Sequence, residues 1–319
     1  MLKKIFLTLL VAVGLATEGW SQAIFSWQIS GNDSIQPKTV QFAKKDSAAL
    51  CMDIYEPENG ENAVTVIFMF PGGFVSGERN GNGEKAFCNK LCQNGFRAIS
   101  IDYRLGLKDM HKIGLKSIGL LHRAIYMAVE DLYSATVYIL AHSEELGIDT
   151  DKIVISGASA GALSVLQAEY ELCNRHDIAS VLPEGFNYAG VISFSGAIFS
   201  ENGKIKYRET DPCPHMLLHG TSDRIVLYNG VRVFNQNFAG TNRIAKVFLK
   251  EEYPCRIMRF KDNEHEIAGS YVFLADECMK FINDYVIGNS RRQSDALLVE
   301  PAIKHSAWGS GSFRSLYVK

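Results

Sequence analysis

From about Pro37 onward, short runs with strand character alternate with longer stretches of helical spacing. Lys38–Ala43 and Ala48–Tyr55, separated by the polar Lys44-Lys45-Asp46-Ser47, predict an antiparallel hairpin. Val64–Phe70 is an unbroken apolar run, the pattern of a strand buried on both faces of a parallel sheet. Arg97–Asp102, Lys152–Ser156, Ala189–Phe194, His215–His219 and Cys255–Phe260 predict further strands. Helical spacing covers Glu84–Gln93, which stops at Asn94-Gly95, Ala124–Leu146, which stops at Gly147, and Ala160–Cys173. It also predicts helices over Tyr228–Phe238 and Ser270–Val286. Such alternation implies an α/β protein with one doubly wound, mostly parallel sheet and an antiparallel hairpin at its N-terminal edge.

The first residues follow a different pattern. Lys3 and Lys4 precede the apolar run Ile5–Leu15, and Ser21-Gln22-Ala23 supplies a small-x-small ending. Residues 1–23 therefore predict a cleaved secretory signal, and an exported protein, periplasmic or secreted. No later run holds about eighteen uninterrupted apolar residues, so no membrane span is expected after signal removal. Residues 24–288 contain no linker, repeat or composition shift and read as one domain. Residues 289–319 are polar at first, net basic, and include Gly309-Ser310-Gly311-Ser312, which predicts a loosely packed tail.

Charge and composition narrow the chemistry. With 33 Lys+Arg against 35 Asp+Glu the formal charge is −2, so no basic excess suggests nucleic acid as a partner. Seven scattered cysteines form no CxxC pair, and eight histidines include no HExxH motif, so no metal or other cofactor is expected. Cys213 and Cys255 lie just before two strands expected to be neighbours, where an oxidising compartment could bridge them.

Gly157-Ala158-Ser159-Ala160-Gly161 is a G-x-S-x-G sequence, weak evidence by itself. Here it joins a predicted strand to a predicted helix, the setting in which flanking glycines let a sharp turn thrust a serine hydroxyl above the sheet edge. The helix N-terminus behind it favours developing negative charge. A serine needs a histidine base and an orienting carboxylate, and in this architecture both come from later strand ends. Asp223 follows the strand His215–His219, and His265 follows Cys255–Phe260. Asp262, close to His265 in sequence, is the rival carboxylate. An oxyanion needs fixed N–H donors, for which the backbone of Ala160 and of Gly72-Gly73, after the strand Val64–Phe70, is suited. Phe74 beside them is a candidate substrate contact.

Five segments in order carry a family resemblance: Met52-Asp53-Ile54-Tyr55-Glu56-Pro57, the loop Gly72–Gly77, Ile101-Asp102-Tyr103-Arg104-Leu105, the Gly157–Gly161 elbow, and His219-Gly220-Thr221-Ser222-Asp223. Together they resemble the α/β-hydrolase fold, and within it the serine esterases of the hormone-sensitive-lipase-like and bacterial carboxylesterase group. The resemblance implies a cofactor-free hydrolysis of carboxylic esters in a fairly open site without a large lid. Combined with export, it points to small acyl groups, such as acetyl or feruloyl esters of carbohydrates. A serine peptidase of prolyl-oligopeptidase type and a catalytically silent binding protein share the fold and are the alternatives. One departure stands out. Phe70-Pro71 occupies the place where relatives carry His-Gly, which removes the histidine that braces the oxyanion loop.

Overall fold

A computed structural model describes residues 35–60, 63–108, 117–201, 203–233 and 235–303. The predicted signal lies outside them. Strands β1 (Lys38–Lys45), β2 (Ala48–Tyr55) and β3 (Thr65–Met69) lead to helix α1 (Asn82–Gln93) and strand β4 (Arg97–Ile101). Helices α2 (Ser117–Ala141) and α3 (Ser143–Leu146) precede β5 (Ile153–Ala158), α4 (Ala160–Cys173), β6 (Gly190–Phe194) and β7 (Ala197–Ser200). Then come β8 (His215–Gly220), β9 (Val231–Val233), β10 (Gln236–Gly240), α5 (Thr241–Lys250), β11 (Cys255–Phe260), α6 (Ala275–Phe281) and β12 (Gln293–Leu298).

Strands β3, β4, β5, β6 and β8 are buried at every residue, because helices cover both faces of the sheet. Among the described residues the sheet has nine strands in the order β1-β2-β4-β3-β5-β6-β8-β11-β12. Only the pairings of β2 with β1 and with β4 are antiparallel, as the hairpin reading requires. Helices α2, α4 and α5 share one hydrophobic cluster, and α1 and α6 share the other across the sheet. Helix α2 contains a 23-residue stretch, Gly119–Ala141, long and apolar enough for a membrane span by length and composition. Its Ala124, Ile125, Ala128, Val129 and Leu132 are buried in the core, where Tyr133 donates to the Ala168 carbonyl of α4 at 2.6 Å.

Three sequence expectations need correction. Tyr228–Phe238 is not helical. Gly230 sits at φ 66°, where a Cβ would come within 2.1 Å of the Phe238 carbonyl oxygen, a left-handed residue in close backbone contact that no helix accommodates. Two antiparallel strands, β9 and β10, result, and β10 also pairs with β7 in a separate three-stranded sheet. The helix lies later, in α5, whose buried Ile244, Ala245 and Phe248 form a stripe at helical spacing. The closing helix begins at Ala275 rather than Ser270. Finally, the supposed tail is ordered into the sheet over 293–298, where β12 pairs in parallel register with β11 from Cys255↔Gln293 to Phe260↔Leu298. An edge strand held by its backbone ladder needs little apolar patterning, and β12 is mostly exposed.

The junction of β5 and α4 is closely packed. A Cβ on Gly157 would lie 2.4 Å from the backbone of Gly161, and one on Gly161 would lie 2.1 Å from the Met69 carbonyl oxygen of β3. These contacts are with backbone, so no side-chain movement relieves them. Gly161→Ala is expected to lower unfolding free energy by about 2 kcal/mol or more, within the range for overpacked positions. Urea unfolding checks this, and a loss well below that value would show that β3 yields.

A second consequence concerns acid. His215 opens β8 fully buried, with its Nδ1 2.8 Å from the Cys213 carbonyl, its ring against Phe248, and, among the described residues, no partner on Nε2. Burial pushes this imidazole down from 6.5 to about 4. The unfolded chain therefore takes up the proton first, and stability falls as pH drops from about 6.5 to about 4. Between pH 7 and pH 5 this group is expected to cost about 2 kcal/mol. Urea unfolding at the two pH values should show that loss in the wild type and a smaller one in His215→Phe.

Candidate active site

Four loops leave the C-terminal ends of parallel strands and meet above one edge of the sheet. The strands end level: Met69 of β3 pairs with Gly157 of β5, Phe194 of β6 with Leu218 of β8, and Gly220 of β8 with Phe260 of β11. Ser159 follows β5 directly, the Gly72-Gly73 loop follows β3, Asp223 follows β8, and His265 follows β11.

Ser159 has φ 50° and ψ −113°, a backbone conformation that side chains rarely adopt. Its N–H donates to the Phe194 carbonyl at 2.9 Å, and its own carbonyl accepts the first α4 bond from Leu163 at 2.9 Å. The sharp turn presents Oγ to His265, whose Nε2 lies 2.9 Å away. On the other side of that ring, Nδ1 lies 2.7 Å from Asp223 Oδ2. Ser159, His265 and Asp223 are only 3%, 2% and 4% exposed. All three side chains are thus buried at the strand ends.

The Asp223 and His265 loops are laced together. A Cβ on Gly220 would lie 2.2 Å from the Glu264 carbonyl, so the glycine lets the loops touch. Ser222 N–H donates to the Asn263 carbonyl at 2.9 Å, and Asp262 N–H donates to Thr221 Oγ1 at 2.9 Å. Asn263 Nδ2 in turn donates to the buried Glu266 carboxylate at 2.8 Å. Asp262 itself is exposed, at φ 62°, so the rival carboxylate is not the one on His265. Burial alone would raise the Asp223 carboxyl. The charge of His265 and the hydrogen bond from His219 outweigh it and hold the group well below the usual carboxylate range.

In the loop after β3, Gly72 has φ 146° and Gly73 φ 61°. A Cβ on Gly72 would fall 1.8 Å from the Ser76 carbonyl oxygen. The turn closes with Val75 and Ser76 N–H groups donating to the Gly72 carbonyl at 3.0 and 3.1 Å. Among the described residues, the N–H groups of Gly72, Gly73 and Ala160 donate to no backbone carbonyl. That leaves them free to serve an anion. The brace expected of the absent histidine comes from Tyr103, whose hydroxyl donates to the Phe70 carbonyl at 2.8 Å and whose ring stacks on Phe70 at 4.2 Å. Arg79 pins the loop's far end to Asp102 at 2.8 Å and Asp53 at 3.1 Å.

Phe74 is corrected as a substrate contact. Its side chain is 0% exposed and packs edge-on to Tyr103, so it has no surface left for a ligand. Cys213 and Cys255 are free thiols. Cys255 faces His215 in register, two residues past Cys213, whose backbone is held by Glu169 at 2.9 Å. Among the described residues no group of three His, Cys, Asp or Glu could hold a metal ion. Sequence reasoning missed His219, whose Nε2 lies 3.0 Å from Asp223 Oδ2. Its only signal was a place four residues before Asp223 on the same strand end.

Comparison with known proteins matches residues 52–198 to the BD-FAE family model. Lipase 2 of Moraxella sp. (strain TA144) is 30% identical over 144 residues, 43% of this chain and 29% of that protein. Gut esterase 1 of Caenorhabditis elegans is 26% identical over 122 residues, 37% of this chain and 20% of that protein. The chain thus spans less than a third of the length of these curated relatives. The apo form of Thermogutta terrifontis esterase 2 superposes with a TM-score of 0.57 at 19% identity, over 84% of this chain and 100% of that one. The same esterase phosphonylated by cyclosarin gives 0.55 at 22% identity, over 80% and 96%. Strand order, loop placement and these likenesses agree: the chain belongs to the α/β-hydrolase fold.

Proposed function

We propose that the chain is a serine esterase acting on carboxylic esters of small acyl groups, exported from the cell. The observation that carries this reading is the hydrogen-bonded row Ser159 Oγ–His265–Asp223, at 2.9 and 2.7 Å, beneath a glycine loop with unspent N–H groups. In it, Ser159 attacks the ester carbonyl while His265 Nε2 takes its proton, and Asp223 holds the imidazole with Nδ1–H toward the carboxylate. The N–H groups of Gly72, Gly73 and Ala160 receive the oxyanion. His265 then returns the proton to the departing alcohol, and water cleaves the acyl-enzyme by the same route.

The BD-FAE match and the lipase and esterase names of the curated relatives support ester over amide chemistry. Small acyl groups, with acetyl and feruloyl esters of carbohydrates first, suit the buried Ser159. The neighbouring Thermogutta esterase is described with propionate and with butyrate bound.

Wild-type protein is expected to hydrolyse p-nitrophenyl acetate, and Ser159→Ala to lose at least about a thousandfold in kcat, the scale seen when a triad member is removed. A fluorophosphonate probe should label Ser159 and nothing else. Equal rates in the two proteins would remove Ser159 from the nucleophile's role, and absence of labelling would favour a silent binding protein. A panel of acetylated and feruloylated oligosaccharides, with a peptide anilide alongside, decides the substrate class; turnover of the anilide alone would favour the peptidase.

A further inference from the structure

Asp223 carries more donors than a row of three residues uses. Its Oδ1 accepts the backbone N–H groups of Ile225 and Val226 at 2.8 and 3.0 Å. Its Oδ2 is shared by two imidazoles, His265 Nδ1 at 2.7 Å and His219 Nε2 at 3.0 Å. His219 is fully buried on β8, edge-on to Tyr228. Its Nε2 also lies 2.9 Å from the Val226 carbonyl. Two acceptors therefore face one ring nitrogen, which places the proton on Nε2. Nδ1 is left to accept from the hydroxyl of Thr241, 2.8 Å away at the first position of α5. Thr241 is itself fully buried, with the Gly196 carbonyl 3.4 Å off, between β6 and β7.

We infer that His219, with its tautomer set by Thr241, is a positioning residue that fixes the Asp223 carboxylate for His265. This rests on the serine-esterase reading above. A single N–H of His219 bridges the carboxylate and the Val226 carbonyl. It closes the 223–226 turn and orients the oxygen that His265 needs. Without it, Oδ2 keeps one donor where it had two, and the Val226 carbonyl loses this partner. The carboxylate then gains freedom to turn about Cβ–Cγ, and His265 gains freedom to swing away from Ser159. Chemistry suffers, while the groups that would touch a bound ester stay in place. The loss should fall on kcat and spare KM.

The test compares three variants. His219→Leu removes the donor at similar volume, His219→Gln restores an N–H near the Nε2 position, and Thr241→Val leaves the imidazole but frees its tautomer. Each is measured for kcat and KM on p-nitrophenyl acetate, for urea unfolding, and for the far-downfield proton resonance of the His265 Nδ1–H to Asp223 bond. His219→Leu is expected to lose about 10- to 100-fold in kcat with KM within about threefold, the scale of a misplaced catalytic group. Its downfield resonance should shift upfield or vanish. His219→Gln should recover to within about fivefold of wild type and Thr241→Val should lose about three- to tenfold. A folded His219→Leu with wild-type kcat and an unmoved resonance overturns the inference. If His219→Leu does not fold, Thr241→Val decides: unchanged kcat and resonance overturn it. If the wild type hydrolyses no ester, the esterase reading falls by itself and the resonance alone decides the role of His219.

Discussion

A serine backbone at φ 50°, ψ −113° is a conformation costing about 1–3 kcal/mol that persists only where its surroundings over-determine it. Here they do so from three directions. β5 is locked between β3 and β6, α4 is buried along nearly its whole length, and Gly157 and Gly161 let the helix start within backbone contact of the strands. The Ser159 N–H reaches across to Phe194 at the end of β6, so the elbow is bonded to the neighbouring strand as well as to its own helix. The position of Oγ above the sheet edge follows from packing that runs through the centre of the molecule. The remaining loops are arranged around that fixed point.

The carboxylate is held by a different balance. Burying a charge costs several kcal/mol unless it is fully hydrogen-bonded. Asp223 receives two backbone N–H groups on one oxygen and two imidazoles on the other, and remains ionised despite burial. That requirement explains why the polar loop after β8 folds so tightly onto itself and onto the loop after β11. The chain's near-zero net charge leaves little long-range field, so capture of a neutral ester would depend on contacts close to Ser159.

Much of this was legible in the sequence, for a physical reason. Strands buried on both faces are predominantly apolar, so β3, β4, β5 and β6 announced themselves, and the elbow's glycines marked a turn no other residue can make. Ser159, Asp223 and His265 followed from chain order and strand ends, and the structure brings them together at hydrogen-bond distance. What stayed hidden leaves no local pattern. Strand β9 follows a positive-φ glycine, Gly230, amid residues whose spacing mimics a helix. β12 is held by a backbone ladder and needs no apolar stripe. Tyr103 and His219 act through single hydrogen bonds to groups distant in sequence or already assigned elsewhere.

The same distinction bears on the segment that matches the family model. The matched segment, residues 52–198, contains the glycine loop and the elbow but neither Asp223 nor His265. Its geometry depends on glycines with a Cβ-sized space denied to them, a constraint few sequences can satisfy and therefore one that marks a family. The acid and base need only a polar loop at the end of a parallel strand, with enough local donors to hold a charge. Many sequences can meet that condition. This chain meets it with a second histidine on the same carboxylate oxygen, a small antiparallel sheet feeding Thr241 into place, and an additional strand outside β11. The nucleophile half is thus fixed by steric exclusion and the acid–base half by hydrogen-bond supply.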